Sequence, residues 1–150
     1  MLDTFTRGLR AAAAGLAALA FAATAVPALA SGHRIRVEQY GWNNQVGGGQ
    51  SGHGQRLTVI QNGGSNLSIN TQDGYRNRAA VGQSGWNNSA DTDQQGHRNA
   101  VGVAQMGNNN SATVGQYGHR NVAAVVQTGN NDTASVQQTG AHNVVAIVQD

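Results

Sequence analysis

From Gln39 to the C-terminus, polar and apolar positions recur on an eleven-residue clock. Gln occupies 39, 50, 61, 72, 83, 94, 105, 116, 127, 138 and 149. Gly follows two positions later, at Gly63, Gly74, Gly85, Gly96, Gly107, Gly118, Gly129 and Gly140 among others. Three further on stands Asn, at Asn66, Asn77, Asn88, Asn99, Asn110, Asn121 and Asn143, with Gln55 and Asp132 in the same slot of two other copies. Between the Asn and the next Gln the chain alternates. In "NRAAVGQ", Asn77, Ala79, Val81 and Gln83 share one parity, and Arg78, Ala80 and Gly82 take the other. The same parity carries Val101 and Val103, Ala112 and Val114, Ala123 and Val125, Ala134 and Val136, and Val145 and Ile147. Period two predicts strands with one dictated face and one permissive face. The stretch QxGxxN, bearing a Gly, predicts the bend between them.

A second period lies under the first. Bends after Gln72, Gln94 and Gln116 read "YRN", "HRN" and "HRN", whereas those after Gln61, Gln83, Gln105 and Gln127 read "GSN", "WNN", "NNN" and "NND". The unit is therefore twenty-two residues, strand–bend–strand–bend. The predicted fold is all-β: a cross-β solenoid of stacked 22-residue rungs, with two parallel sheets face to face and strands about 4.8 Å apart. Small and branched apolar residues fill a thin core. The Gln and Asn turn inward, where amides are costly unless hydrogen-bonded, and identical amides stacked rung on rung satisfy one another. That accounts for their strict register.

Three copies depart from the pattern. "NLSINTQ" puts Ser68 and Asn70 on the core parity and Leu67 and Ile69 outside it, so a one-residue slip and an irregular rung are expected there. Asp132 sets a charge in an amide column. "NQVGGGQ" at 44–50 is too Gly-rich for a good strand. The expected organisation is a signal peptide over 1–30, a flexible or secretion-targeting Gly-rich leader over 31–54, and a repeat core over 55–150 of about four and a half rungs.

Composition narrows the class. Residues 1–30 carry Arg7 and Arg10, the apolar run 11–23, Pro27 and the small pair Ala28 and Ala30, which reads as a secretory signal. The run is shorter than the roughly 20 residues a span requires, so the chain is expected to be exported and not membrane-spanning. Beyond residue 30, seven Arg stand against six carboxylates, too even a balance for a general nucleic-acid binder. There is no Cys, so stability cannot come from disulfides.

Candidate chemistry is sparse. No nucleophile–base spacing stands outside the repeat, and the expectation is no enzyme, no cofactor and no metal site. Asp91 and Asp93 share the outward parity of one strand and read better as charges that slow premature aggregation than as a catalytic pair. His97 and His119 fall one rung apart, with His53 two rungs before His97, but Arg76, Arg98 and Arg120 in the next column would repel a cation. Calcium-binding "GGxGxD" repeats are absent, and so is the Thr array of an ice-binding face. The Arg column makes a positive edge suited to anionic polysaccharide, DNA or a cell surface; its bland reading is solvated charge.

"QYGHRNVAAVVQ" and "QMGNNNSATVGQ" resemble the curlin repeat, Q-x-G-x-x-N-x-A-x-V-x-Q, of curli fibre subunits. The resemblance covers Gln55–Asp150, and "VEQYGWNNQVGGGQSGHG" is similar to the leader that precedes the core of the major subunit. It implies a secreted functional amyloid that crosses the outer membrane unfolded through a dedicated pore. Such subunits assemble on a nucleator into biofilm fibres that serve adhesion. The regular last rung favours a major subunit; a nucleator with the same repeats is the alternative, and a soluble ligand-binding solenoid is less favoured. The expected partner is a second copy, head to tail, with the last strand "NVVAIVQ" as template for an incoming Gln55–Gln61.

Overall fold

The computed structural model describes residues 32–150, so the signal peptide expected over 1–30 lies outside the described residues. Eleven strands follow one another: β1 (Arg34–Trp42), β2 (Gln45–His53), β3 (Arg56–Gly64), β4 (Leu67–Tyr75), β5 (Arg78–Trp86), β6 (Ser89–His97), β7 (Ala100–Asn108), β8 (Ser111–His119), β9 (Val122–Asn130), β10 (Thr133–Ala141) and β11 (Val144–Gln149). Odd strands make a six-stranded sheet in the order β1-β3-β5-β7-β9-β11. Even strands make a five-stranded sheet, β2-β4-β6-β8-β10. Every pairing is parallel, and each partner lies 22 residues away, as in Val81↔Val103 and Gln94↔Gln116. The fold is the β-solenoid that the two periods predict. Among the described residues, no helix is long and apolar enough to cross a membrane.

The core lies between the sheets and is as thin as the sequence requires. Ala79, Val81, Val101, Val103, Ala112, Val114, Ala123, Val125, Ala134 and Val136 are all buried, while Val145 and Ile147 in the last strand are partly covered. Leu57, Val59 and Ala90 extend the same cluster. With Ala and Val as the main fill, each rung buries little apolar area. Stability therefore accumulates by repetition, about 25 cal/mol per Å² buried.

Each bend is a two-part corner. The Gly does not turn the chain alone; it lies in the last residues of its strand with φ between +106° and +141° from Gly63 to Gly140. Two positions on, a non-Gly residue takes the left-handed region: Ser65, Arg76, Asn87, Arg98, Asn109, Arg120, Asn131 and His142, with φ from 54° to 65°. The corner backbone is also laddered. The Arg98 amide donates to Tyr75 O at 2.8 Å, and the Arg78 amide donates to Asn99 O at 2.9 Å.

Two expectations change. Residues 34–53, within the leader expected to be flexible or secretion-targeting, form β1 and β2 and pair in register with β3 and β4. The ladder is made by backbone groups, which Gly supplies as well as Val does. Gln39 and Gln50 also extend the amide columns onto Gln61 and Gln72. What Gly removes is core: across the rung from Gly48, the inward Ile35 and Val37 stay exposed. The second change is in β4. No slip occurs, and Leu67 pairs with Ser89 in the common register. Ser68 and Asn70 are instead fully buried. Asn70 Nδ2 donates to Ser68 Oγ, and Thr92 Oγ1 donates to Asn70 Oδ1, both at 2.8 Å. A slip would break the Gln, Gly and Asn columns together, which outweighs turning two apolar side chains inward.

This polar inclusion yields a prediction. The triple variant Ser68→Ala, Asn70→Val and Thr92→Val removes every partner of the network and continues the Ala and Val columns above it. Its denaturant midpoint is expected to equal or exceed the parent's. Asn70→Val alone orphans two buried hydroxyls and is expected to cost about 1–3 kcal/mol.

Candidate functional site

The chemistry of this chain is a set of columns running along the stacking axis. In the Gln columns each Nε2 donates to the Oε1 of the Gln 22 residues later: Gln61 to Gln83 at 2.8 Å, Gln83 to Gln105 at 2.8 Å, Gln105 to Gln127 at 2.9 Å. The other sheet matches, with Gln72 to Gln94, Gln94 to Gln116 and Gln116 to Gln138 at 2.7–3.0 Å. The second Nε2 proton crosses to a carbonyl at the start of the facing strand, as from Gln105 to Ser89 O at 2.9 Å. From Gln61 to Gln127, each column amide thus donates both protons and accepts one bond without water.

The Asn columns hold the corners. Asn99 Nδ2 donates to Gln95 O and to Gly118 O in the next rung, both at 3.1 Å, while its Oδ1 accepts the Asn121 amide at 3.0 Å. Asn66, Asn77, Asn88, Asn110 and Asn121 repeat the link to a Gly carbonyl one rung on, at 2.9–3.1 Å. Asn143 Nδ2, in the last corner, keeps only the local bond to Thr139 O. Gln55, in the Asn slot, bonds Ser51 O and accepts the Asn77 amide. Asp132 accepts nothing at Oδ2, a buried oxygen with no partner. Where Asn would donate, a carboxylate has no proton to give. Asp132→Asn is expected to stabilise the protein by about 1 kcal/mol, read as a higher denaturant midpoint.

The glycines mark the closest approach. A Cβ on Gly85, Gly96 or Gly107 would stand 1.8–2.0 Å from the carbonyl oxygen of the Gly one rung on. Gly63, Gly74 and Gly118 are equally tight at 2.0–2.2 Å, whereas Gly129 and Gly140, which have no residue 22 positions on among the described residues, meet nothing nearer than 3.3 Å.

The four outer surfaces differ. One edge carries exposed Arg76, Arg98 and Arg120 beside His97 and His119. Arg76 lies over the Tyr75 ring at 4.8 Å, and Arg120 Nη1 contacts His142 Nε2 at 3.3 Å. The opposite edge is neutral, with Asn108 bonded to Asn130 at 2.9 Å and Trp86 exposed. Apart from the exposed Arg78 at the start of β5, the outer face of the six-stranded sheet is largely apolar over β5–β11. A shallow trough of about 360 Å³ runs across it, floored by Ala80, Gly82, Gly102, Ala104 and Ala124. The outer face of the five-stranded sheet is polar. There Tyr117 donates to Asp93 Oδ2 at 3.0 Å, and that bond, with the carboxylate's charge, holds the phenol above its usual titration range. Asp91 and Asp93 stand on this face, away from the amide columns. Among the described residues, no group of three or more His, Cys, Asp or Glu is placed to hold a metal ion.

Both ends of the described stack are open. At one end, β1 and β2 show backbone edges, and Gln50 Oε1 is a buried acceptor without a donor. At the other end, β10 and β11 are the edges, and the amides of Gln138 and Gln149 have no rung to donate to. The segment Gln55–Gln61, expected as the incoming strand, lies instead in the interior, with β3 between β1 and β5.

Parallel two-strand rungs, in-register amide columns and unpaired ends define a cross-β solenoid built for repetition rather than for a pocket. The family model for the Curlin associated repeat matches residues 85–118 and again 107–140, two windows offset by the 22 residues of one rung. Residues 85–140 are therefore similar to the Curlin associated repeat. No curated protein and no solved structure matches the chain.

Proposed function

We propose that this protein is the structural subunit of an extracellular, curli-like amyloid fibre that serves biofilm matrix and adhesion. The observation that carries the reading is the complementarity of the two ends. Acceptors at Gln39 and Gln50 face one way along the axis, and donors at Gln138 and Gln149 face the other. Copies joined head to tail continue every column, whereas copies joined head to head set like groups against each other. In this reading residues 1–30 direct export, an outer-membrane pore passes the unfolded chain, and a nucleating subunit starts the fibre.

The test is whether the purified protein forms fibres alone. Seeded growth and a meridional reflection at about 4.7 Å are expected. Deleting Asn143–Asp150 removes β11 and should slow elongation. A protein that stays monomeric and unseedable at high concentration overturns the reading.

The Arg edge is the adhesive part of this proposal. Arg76, Arg98 and Arg120 stack about 4.8 Å apart, close enough to act together on a polyanion. Replacing all three with Asn, which suits the left-handed corner, is expected to leave fibres intact and to weaken retention of an anionic polysaccharide. Equal retention by the variant, across a salt titration, would remove the Arg edge from the proposal.

A further inference from the structure

The eleven strands divide unequally, six in one sheet and five in the other. If successive copies were related by translation alone, β1 of the next copy would seat on β11 and its β2 on β10. The first sheet would advance by six strand spacings and the second by five strands, so each junction would leave a slot one strand wide in the smaller sheet. Such a slot strands a row of backbone donors and acceptors.

We infer that successive copies in the fibre are related by a half-turn about the fibre axis, so that the six-stranded sheet of one copy continues as the five-stranded sheet of the next. The inference rests on the head-to-tail fibre reading. A half-turn seats β1 of the incoming copy on β10 and its β2 on β11, and it closes both sheets without a gap. The strands of the two sheets run in opposite directions across each rung, and a half-turn interchanges them without reversing either. The eleven-residue clock makes the exchange chemically neutral. Odd and even strands share the same Gln, Gly and corner slots, so Gln39 meets Gln138 and Gln50 meets Gln149 in column.

The side chains independently favour this arrangement. Among the six strands of its sheet, β1 is the one with several charges outside: Arg34, Arg36 and Glu38, with an Arg36–Glu38 ion pair. The half-turn places those charges in line with Thr133, Ser135 and Gln137 on the polar outer face. Translation would place Arg36 and Glu38 against Ala146 and Val148, of which Val148 is 75% exposed on the apolar face. In the half-turn that apolar face is continued by the uncharged Gly47 and Gly49 of β2. The Arg edge then alternates sides from copy to copy. Asn43 of the incoming copy follows His142, so the like charges of Arg76, Arg98 and Arg120 are not carried unbroken along one edge.

The chain has no Cys, so paired Cys substitutions report the junction cleanly. Arg36 and Ser135 become in-register neighbours only under the half-turn, and Arg36 and Ala146 only under translation. A spacing of about 4.8 Å falls within the Cα range of a disulfide. Within one chain both pairs stand at opposite ends of the stack. Oxidising fibres of Arg36→Cys/Ser135→Cys is expected to give covalent multimers, and oxidising fibres of Arg36→Cys/Ala146→Cys to leave monomer. Fibres of the unsubstituted protein should show a half-turn screw, apart from sheet twist, with a rise of about 26 Å; pure translation would rise about 29 Å. Multimers from the second pair, or from neither, in fibres that keep the cross-β reflection overturn the half-turn and leave the fibre reading standing. A translational repeat, including one in which a strand from outside residues 34–149 fills the slot, does the same. No fibre at all overturns both.

Discussion

Gly107→Ala is expected to split the stack at β7–β9, whereas Gly102→Ala, five residues earlier in the same strand, should be silent. Gly107 holds φ at +116°, and a Cβ there would stand 1.8 Å from Gly129 O. A backbone this far from the L-residue regions costs on the order of 1–3 kcal/mol by itself. The overlap adds to that, because the obstacle is backbone and relief means parting two strands. Gly102 has an ordinary φ, faces outward, and its Cβ would meet nothing within 4 Å. Denaturant unfolding of the two variants checks the contrast, and equal midpoints would refute it. The same reasoning separates folding from growth at the open end. Gly140→Ala meets only Asn143 Nδ2 at 3.7 Å within the chain. It should bear the strain of its φ yet fold, and obstruct the next copy.

The second large effect is electrostatic. Gln105 is fully buried, accepts from Gln83 and donates to Gln127 and to Ser89 O. In Gln105→Glu the carboxylate still accepts from Gln83 but faces two oxygens where it needs donors. An uncompensated buried charge costs several kcal/mol, so the group takes up a proton instead. Its folded-state pKa then lies above the unfolded value of about 4.3. The folded state binds more protons, so the variant loses stability relative to the parent as pH rises through and above that value. The slope is about 1.4 kcal/mol per pH unit until the folded pKa is passed. Denaturant midpoints at pH 4 and pH 7 should therefore diverge, with the gap wider at pH 7. Gln137→Glu, on the exposed outer face, should show no such divergence; a flat difference for Gln105→Glu would mean that water reaches the column.

How much of this was legible in the sequence depends on what each residue answers to. The parity of Ala79, Val81 and their counterparts reports burial directly, and the columns of Gln83 and Asn99 report a hydrogen-bonding need that only exact repetition meets. Those features, and with them the fold class, follow from the clock. Gly48 and Gly49 mislead because strand propensity measures side-chain packing, whereas β2 is held by backbone pairing to β4. Ser68 and Asn70 mislead because a local hydrophobic pattern suggests a slip that three columns forbid. Arg76, Arg98 and Arg120 are legible as a charged edge but not as left-handed corners, since Arg is no turn residue. The signal was present: the equivalent slot holds Asn43, Gly54, Ser65, Asn87 and Asn109, most of them tolerant of positive φ.

The Gln columns have one more consequence. Backbone amide dipoles in a sheet alternate along the stacking direction and largely cancel. The Gln side-chain amides do not alternate: each points its donor toward the C-terminal end and its acceptor toward the N-terminal end. Their moments therefore add with every rung. A stack of these subunits is electrically polar along its length, and long ones should orient in an applied field with the β11 end toward the negative electrode.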